Sequence, residues 1–201
     1  MALIERIFWV DDGDGFYFEP GSKDRKLRKL LLSLGEGGEY PSLISQDCEL
    51  YAFLGNEFFC IKGMAGTVSK EPNRWLEDKQ EFQKAVSLCV NEAHGHTSLF
   101  LVDWSLSHVT WANLPLEKRT NALFLNALAR EKNSLTGILV CYTAMSQDEL
   151  FRKDYARQSK KFETTKSSKP TLRTIKLLWR WNDIDSTYFT LYRQIESLIK
   201  G

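Results

Sequence analysis

The feature that most constrains this chain is a set of three short apolar runs, each followed at once by a polar residue. The runs are Ile7–Val10, Leu99–Val102 and Gly137–Tyr142. They are followed by Asp11 and Asp12, by Asp103 and by Thr143, respectively. Uninterrupted apolar runs of this length are typical of strands buried on both faces, as in a parallel sheet covered by helices. The sequence therefore predicts an α/β domain built on a parallel sheet.

The residues that end these runs predict a cation site. Ligands of parallel sheets bind at the carboxyl ends of the strands, so Asp11, Asp12, Asp103 and Thr143 are expected at one edge. Clustered carboxylates repel one another unless a cation lies among them, and oxygen ligands suit Mg²⁺. A simpler interpretation is that these aspartates only cap helices or form local turns.

These residues, in this order, resemble the receiver domain of two-component response regulators. Residues 10–12, Val-Asp-Asp, match the acidic pair that follows the family's first strand. Asp103 matches the phospho-accepting aspartate, and residues 143–144, Thr-Ala, match the hydroxyl switch position with its small neighbour. The resemblance implies a stand-alone signalling module in the cytoplasm rather than an enzyme.

The same resemblance implies a magnesium-dependent phosphorelay. Asp12 and Asp103 would hold Mg²⁺ directly, Asp11 would hold a metal-bound water, and the backbone carbonyl of Ser105 would complete the protein ligands. Asp103 would accept a phosphoryl group from a phosphohistidine, and Thr143 would then move to bind the phosphate. The implied partners are a histidine kinase or phosphotransfer protein upstream and an unidentified protein downstream.

A lysine near the fifth strand belongs to the same family pattern. Lys169, followed by Pro170, has the family's spelling, but the residues before it are polar, and Lys166 and Lys176 are alternatives. In the family this lysine neutralises charge on the phosphoryl oxygens. Lys169 is therefore the expected third catalytic residue, beside Asp103 and Thr143.

The predicted fold is a flavodoxin-like, three-layer domain over residues 1–201, with a five-stranded parallel sheet in the order 2-1-3-4-5. Residues 37–75 are expected to form an inserted lobe that carries a β-hairpin, with strands at 50–54 and 58–61 joined by Gly55-Asn56. The remaining strands are predicted at 4–10, 98–102 and 138–142. Helices are predicted over 24–34, 77–93, 116–130 and 186–199, the last with Ser186 as its N-cap, and a further helix is expected to start near 146.

A second interpretation starts from the same acidic turn. Residues 12–15, Asp-Gly-Asp-Gly, resemble the first motif of haloacid-dehalogenase-like phosphatases, with Asp12 as nucleophile and Asp14 as general acid. Thr143 would then be the second motif, residues 160–176 would supply a lysine, and Asp183 with Asp185 would be the final acids. This interpretation leaves Asp103 without a role.

A third interpretation is a degenerate receiver fold that binds a protein or nucleic acid without being phosphorylated. Residues 151–181 contain ten Lys or Arg against two acidic residues, and Trp179 and Trp181 lie at the end of this segment. Such a basic segment can contact phosphates and stack bases, although a solvated loop and helix face has the same composition.

Composition excludes several classes of protein. The formal net charge is +1, so the molecule as a whole is not an obvious binder of polyanions. No apolar run approaches the ~20 residues of a membrane helix. Glu5 and Arg6 interrupt the N-terminus, so it does not have the pattern of a signal peptide. The four cysteines have no metal-binding spacing, and His94 and His96 are expected to end a helix rather than to hold a metal. We expect a reduced, cytoplasmic protein.

Overall fold

The structure is a computed structural model that describes residues 3–13, 43–63, 68–103, 106, 120–131, 133–143, 156–157, 160–162, 172–178 and 184–200. The helices predicted over 24–34 and from 146 lie outside these residues. The described part forms a mixed sheet with helices packed on both of its faces. The α/β class predicted from the sequence is therefore confirmed.

The described residues form seven strands, three α-helices and one 3₁₀ helix. The strands are β1 (Ile4–Asp11), β2 (Ile44–Leu54), β3 (Glu57–Lys62), β4 (Val68–Pro72), β5 (Thr97–Asp103), β6 (Thr136–Thr143) and β7 (Leu172–Leu178). The helices are α1 (Lys79–Ala93), α2 (Thr120–Arg130) and α3 (Ile184–Lys200), with a 3₁₀ helix at Lys160–Phe162. The three strands predicted from apolar runs are confirmed, each slightly longer than expected.

The strands form a single seven-stranded sheet in the order β4-β3-β2-β1-β5-β6-β7. The neighbours β2, β1, β5, β6 and β7 are parallel, whereas β3 and β4 are antiparallel additions beside β2. The prediction of a five-stranded, purely parallel sheet is therefore wrong in its strand count. The extra strands are β3, the second strand of the predicted hairpin, and β4, which pairs with β3 and was not predicted.

The hairpin itself is confirmed, because β2 and β3 are antiparallel and Leu54 pairs with Glu57 across a two-residue turn. It does not form a separate lobe, since β2 also pairs along β1. Its aromatic side chains belong to the core of the domain: Tyr51 and Phe53 are buried on one face of the sheet and Phe59 on the other. These three aromatic side chains therefore help to join the hairpin to the main sheet.

Two apolar layers cover the two faces of the sheet, because successive strand side chains point to opposite faces. Trp9 and Val140 lie on the face that packs against α3 through Leu191, Tyr192 and Ile195. On the other face, residues such as Phe8, Val102 and Leu139 pack against α1 and α2. Strands with apolar residues on both faces need both layers, which explains the continuous apolar runs of the sequence.

Helix α1 begins and ends at signals visible in the sequence. The carboxylate of Asp78 accepts hydrogen bonds from the backbone N–H groups of Gln80 (2.7 Å) and Glu81 (3.3 Å), which makes it the N-cap. At the other end His94 is the C-cap and its backbone N–H donates to the Asn91 carbonyl. The expectation that His94 terminates this helix is confirmed.

The C-terminal helix differs from its prediction at its start. Helix α3 begins at Ile184, so Ser186 lies inside its first turn and the prediction of Ser186 as N-cap is wrong. Residues 185–187 are all polar residues of the kind found at helix starts, and such a cluster does not single out the first helical residue.

Of the described helices, none combines the length and apolar character needed to cross a membrane.

Candidate functional site

Two neighbouring parallel strands place acidic residues at the same edge of the sheet. Strands β1 and β5 pair in register from Arg6 with Ser98 to Val10 with Val102. Each strand ends in an aspartate, Asp11 in β1 and Asp103 in β5. Because both strands run in the same direction, their carboxyl ends and these two aspartates meet at one edge.

The two strand ends and the residue after β1 form a compact acidic cluster. One carboxylate oxygen each from Asp11, Asp12 and Asp103 lies within 4.8 Å of the others. Asp11 is buried, and Asp12 and Asp103 are half-buried. Within the described part of the chain, this is the only group of three or more His, Cys, Asp or Glu residues close enough to share a metal ion. The expectation that these three carboxylates lie together agrees with this placement, while their chemical roles stay predictions.

Neutral donors hold the buried member of the cluster. The backbone N–H of Gly13 donates to Asp11 Oδ1 at 2.8 Å, and the Tyr142 hydroxyl donates to Asp11 Oδ2. Burial raises the pKa of Tyr142 well above its usual range, and the negative charges of Asp11 and Asp103 add to this effect. The phenol therefore stays protonated and remains a donor to Asp11 at any physiological pH.

Tyr142 is itself fixed by a tryptophan. The indole Nε1–H of Trp9 donates to the Tyr142 hydroxyl at 2.6 Å, and both rings are buried on the face that packs against α3. The sequence does not predict either residue as part of the site, because both lie within apolar runs. The signal that was present is the alternation of strand side chains, which places Trp9 on the same face as Asp11.

The turn between β2 and β3 borders the acidic cluster. The backbone N–H of Gly55 donates to the Asp11 carbonyl at 3.0 Å. Gly55 has a φ of +57°, and a Cβ atom at this position would lie 2.6 Å from the Gly13 carbonyl oxygen and 3.2 Å from that of Asp12. The turn therefore needs glycine both for its backbone conformation and for its close approach to the loop that carries Asp12.

The remaining predicted site residues are only partly described. Thr143 ends β6 at the same edge as Asp103, since Asp103 pairs with Tyr142 in the neighbouring strand, but its side chain is not described. Lys176 is in β7, where its backbone pairs with Cys141. Five other candidates lie outside the described residues: Asp14, Ser105, Lys166, Lys169 and Asp183. Asp185 falls within α3, but its side chain is not described.

The other candidate features of the sequence lie away from this cluster. His96 approaches Glu5, with 3.6 Å between Nδ1 and the carboxylate, at the opposite end of the strands. Two cations of the basic segment contact the protein itself: Lys161 donates to Asn126 Oδ1 at 2.5 Å, and Arg173 donates to the Leu198 carbonyl. Burial, and then the charge of Arg157, lower the pKa of Lys161.

The cysteines behave as buried apolar residues. All four are free thiols, and Cys48, Cys89 and Cys141 are buried. Burial raises the pKa of Cys141 to about 12, so its thiol is protonated and unreactive at neutral pH. These thiols therefore do not add a nucleophile to the candidate site.

The candidate site consequently consists of three clustered carboxylates at the carboxyl edge of a largely parallel sheet, with Tyr142 and Trp9 behind them and the β2–β3 turn beside them. Such a site can bind a hard cation and can present a carboxylate oxygen as a nucleophile. Neither a known protein family nor a curated protein sequence matches this chain.

Proposed function

We propose that this chain is a receiver-like signalling module that is phosphorylated on Asp103 in a cation-dependent reaction. The observation that carries the proposal is the convergence of Asp11, Asp12 and Asp103 within 4.8 Å at one edge of the sheet. Asp11 and Asp12 are adjacent at the end of one strand, and Asp103, far from them in sequence, ends the neighbouring strand, which is the arrangement that the resemblance to receivers implies. Local turn formation would explain each aspartate separately but gives no reason for their convergence.

The topology supports the same proposal. Reading only the parallel strands, the order β2-β1-β5-β6-β7 is the order 2-1-3-4-5 of a flavodoxin-like sheet. The switch point of this order lies between β1 and β5, because successive strands are added on opposite sides of β1. Ligands of such sheets bind at the carboxyl ends of the strands beside the switch point, which is where Asp11 and Asp103 lie.

The donor set fits a hard divalent cation, and we propose Mg²⁺. Carboxylate oxygens are the ligands that Mg²⁺ prefers, and it is usually held by one or two carboxylates while it keeps several waters. Asp12 and Asp103 are the proposed direct ligands, with the Ser105 carbonyl, and Asp11 is proposed to hold a water. When bound, the cation neutralises charge that develops on the phosphoryl oxygens.

Asp103 is the proposed nucleophile. One of its carboxylate oxygens attacks the phosphorus of a phosphohistidine, an O–P bond forms, and the P–N bond breaks with its electron pair returning to the imidazole nitrogen. Thr143 and a lysine, for which Lys169 is the first candidate, are proposed to bind the transferred phosphoryl group. The resulting aspartyl phosphate would be read by a partner protein through surface contact.

The test is phosphorylation by a small phosphodonor such as acetyl phosphate in the presence of Mg²⁺, detected by mass spectrometry. We expect one acyl phosphate per chain in the wild type and none in Asp103→Asn. Asp47→Asn is the matched control, because Asp47 is an exposed aspartate of strand β2 and its substitution should leave the reaction unchanged. Chelation of divalent cations should abolish the reaction in the wild type and in the control.

Other outcomes would assign the chain differently. If the folded wild type, with acetyl phosphate and Mg²⁺, forms no acyl phosphate, the degenerate binding module is the correct interpretation. If the protein turns over a phosphomonoester and this activity depends on Asp14 but not on Asp103, the phosphatase interpretation is correct. A histidine kinase as donor and nucleic-acid contact through residues 151–181 both stay predictions that this experiment does not address.

A further inference from the structure

A buried chain of hydrogen bonds leads from the acidic cluster into the core beneath α3. Trp9 Nε1–H donates to the Tyr142 hydroxyl, which donates to Asp11 Oδ2, and Gly13 N–H donates to Asp11 Oδ1. Trp9 is 2% exposed and Tyr142 is 6% exposed. Both oxygens of Asp11 are therefore held by protein donors before any ligand arrives.

For the hydrogen bonds that link Trp9, Tyr142 and Asp11, the chemistry of the groups determines which is the donor and which the acceptor. An indole N–H can only donate, so the Tyr142 oxygen must be the acceptor toward Trp9. The phenol has one proton, and that proton is therefore left for Asp11. Trp9 thus prevents the hydroxyl from turning away, and Tyr142 in turn prevents the Asp11 carboxylate from rotating.

We propose that Tyr142, oriented by Trp9, is a positioning residue that presets Asp11 for cation binding. This inference rests on the proposed function, because it assigns Tyr142 a role only if the acidic cluster binds a divalent cation. Each carboxylate oxygen of Asp11 keeps a further lone pair, which can accept a hydrogen bond from a metal-bound water. Groups that orient the residues of a metal site in this way typically change its affinity 10–100-fold when they are removed.

The same linked hydrogen bonds should make Trp9 sensitive to whether a cation is bound at the acidic cluster. A cation that attracts the charge of Asp11 weakens the hydrogen bond that Asp11 accepts from Tyr142. The polarisation of the Tyr142 hydroxyl then changes, and with it the strength of the hydrogen bond that its oxygen accepts from the indole N–H, because linked hydrogen bonds polarise one another. The indole proton of Trp9 is therefore expected to change its chemical shift when the cation binds.

Tyr51 offers a matched control for the loss of a buried phenol. It is also 6% exposed, and its hydroxyl also donates to a carboxylate, that of Glu49, at 2.6 Å. Glu49 pairs with Arg6, five residues before Asp11, which is about 16 Å away along the strand. Tyr51→Phe therefore removes a comparable hydrogen bond at a distance from the acidic cluster.

The experiment is a titration with Mg²⁺ alone, followed by NMR on the wild type, Tyr142→Phe and Tyr51→Phe. The amide signal of Gly13 gives the dissociation constant, and the Trp9 indole signal is assigned by its disappearance in Trp9→Phe. We expect Tyr142→Phe to weaken Mg²⁺ binding about 10-fold or more. Tyr51→Phe should bind as the wild type does. At saturating Mg²⁺ the Trp9 indole signal should shift in the wild type but not in Tyr142→Phe.

The outcomes separate this inference from the function on which it rests. If the wild type does not bind Mg²⁺, the proposed function loses its cation and the role of Tyr142 falls with it. If the wild type binds but a folded Tyr142→Phe binds equally well, only the positioning role is overturned. An equal loss in Tyr51→Phe would also overturn it, because the effect would then reflect general destabilisation. If Tyr142→Phe does not fold, Trp9→Phe decides, and unchanged Mg²⁺ affinity in that variant overturns the inference.

Discussion

The close approach of the β2–β3 turn to the acidic loop predicts that Gly55→Ala is unusually destabilising. Gly55 has a φ of +57°, and an added Cβ would lie 2.6 Å from the Gly13 carbonyl oxygen. No described residue other than glycine has a positive φ, so Asn56 does not share this conformation. Gly55 is therefore the only residue of this two-residue turn with a left-handed backbone. The substitution therefore meets two separate obstacles, one in its own backbone and one in the neighbouring loop.

The two obstacles have different sizes. An alanine in the left-handed region is unfavourable by about 1–2 kcal/mol. The contact with a backbone oxygen cannot be relieved by rotating a side chain, and such overpacking adds about 1–3 kcal/mol. Gly55→Ala should therefore lower the free energy of unfolding by about 2–5 kcal/mol, provided that the two contributions add.

Gly63→Ala is the matched control. Gly63 has a φ of +70°, but the nearest atom to its added Cβ is the Gln46 carbonyl oxygen at 3.6 Å, an ordinary contact distance. This variant therefore meets only the backbone obstacle and should lose about 1–2 kcal/mol.

Urea unfolding of both variants, analysed with a common slope, gives the difference between them. Equal losses in Gly55→Ala and Gly63→Ala would show that the turn does not press against the loop that carries Asp12. In that case the turn would not help to position the acidic cluster.

Two further predictions concern the stability of the fold. Asp78→Ala removes the carboxylate that accepts from Gln80 and Glu81 at the start of α1, so the free energy of unfolding should fall by about 1 kcal/mol in urea titrations; no change would mean that water replaces the cap. Burial raises the pKa of Cys141 from 9.0 to about 12, so the folded state favours the neutral thiol, and its contribution is complete below pH 9 and is lost as the pH rises from about 9 to 12. The free energy of unfolding should therefore fall with a steepest slope of about 1.4 kcal/mol per pH unit from this group, and Cys141→Ala should show a shallower fall. An unchanged slope in that variant would contradict the assignment.

The parts of the fold that the sequence predicts well are those where one pattern has one explanation. Strands β1, β5 and β6 are buried on both faces, and a continuous apolar run is the direct consequence of that burial. The turn at Gly55-Asn56 is similarly clear, because it joins two apolar runs across two residues. The convergence of Asp11 and Asp103 follows from the parallel strands that precede them.

The position of β2 was harder to predict because its sequence carries two signals at once. Its second half forms an apolar hairpin strand with β3, whereas residues 45–47 are polar and resemble a loop. A hairpin signal specifies one partner of a strand and says nothing about the strand on its other side. The pairing of β2 with β1, which makes the hairpin part of the main sheet, depends on long-range packing that the local pattern does not contain.

The contact between Trp9 and Tyr142 could not be predicted for a different reason. Strands β1 and β6 are not neighbours, since β5 lies between them. Their backbones are therefore about 10 Å apart, and only two long side chains on the same face can meet across that distance. Whether they meet depends on the registers of two successive parallel pairings, and these are set by crossover connections rather than by local sequence.

Two carboxylates near opposite ends of the sheet, Glu49 and Asp11, differ in their partners among the described residues. At the amino-terminal end, Glu49 faces the guanidinium of Arg6 at 3.4 Å, so a cation of the protein itself balances the carboxylate. At the carboxyl end, the partners of Asp11 among the described residues are a backbone N–H and a phenol, both neutral. Neutral donors fix the position of a carboxylate without cancelling its charge, and charges in a partly buried site are weakly screened by solvent. Asp11 is thus oriented beside two further carboxylates without a cationic partner of its own among the described residues, an arrangement that binding of a divalent cation would stabilise.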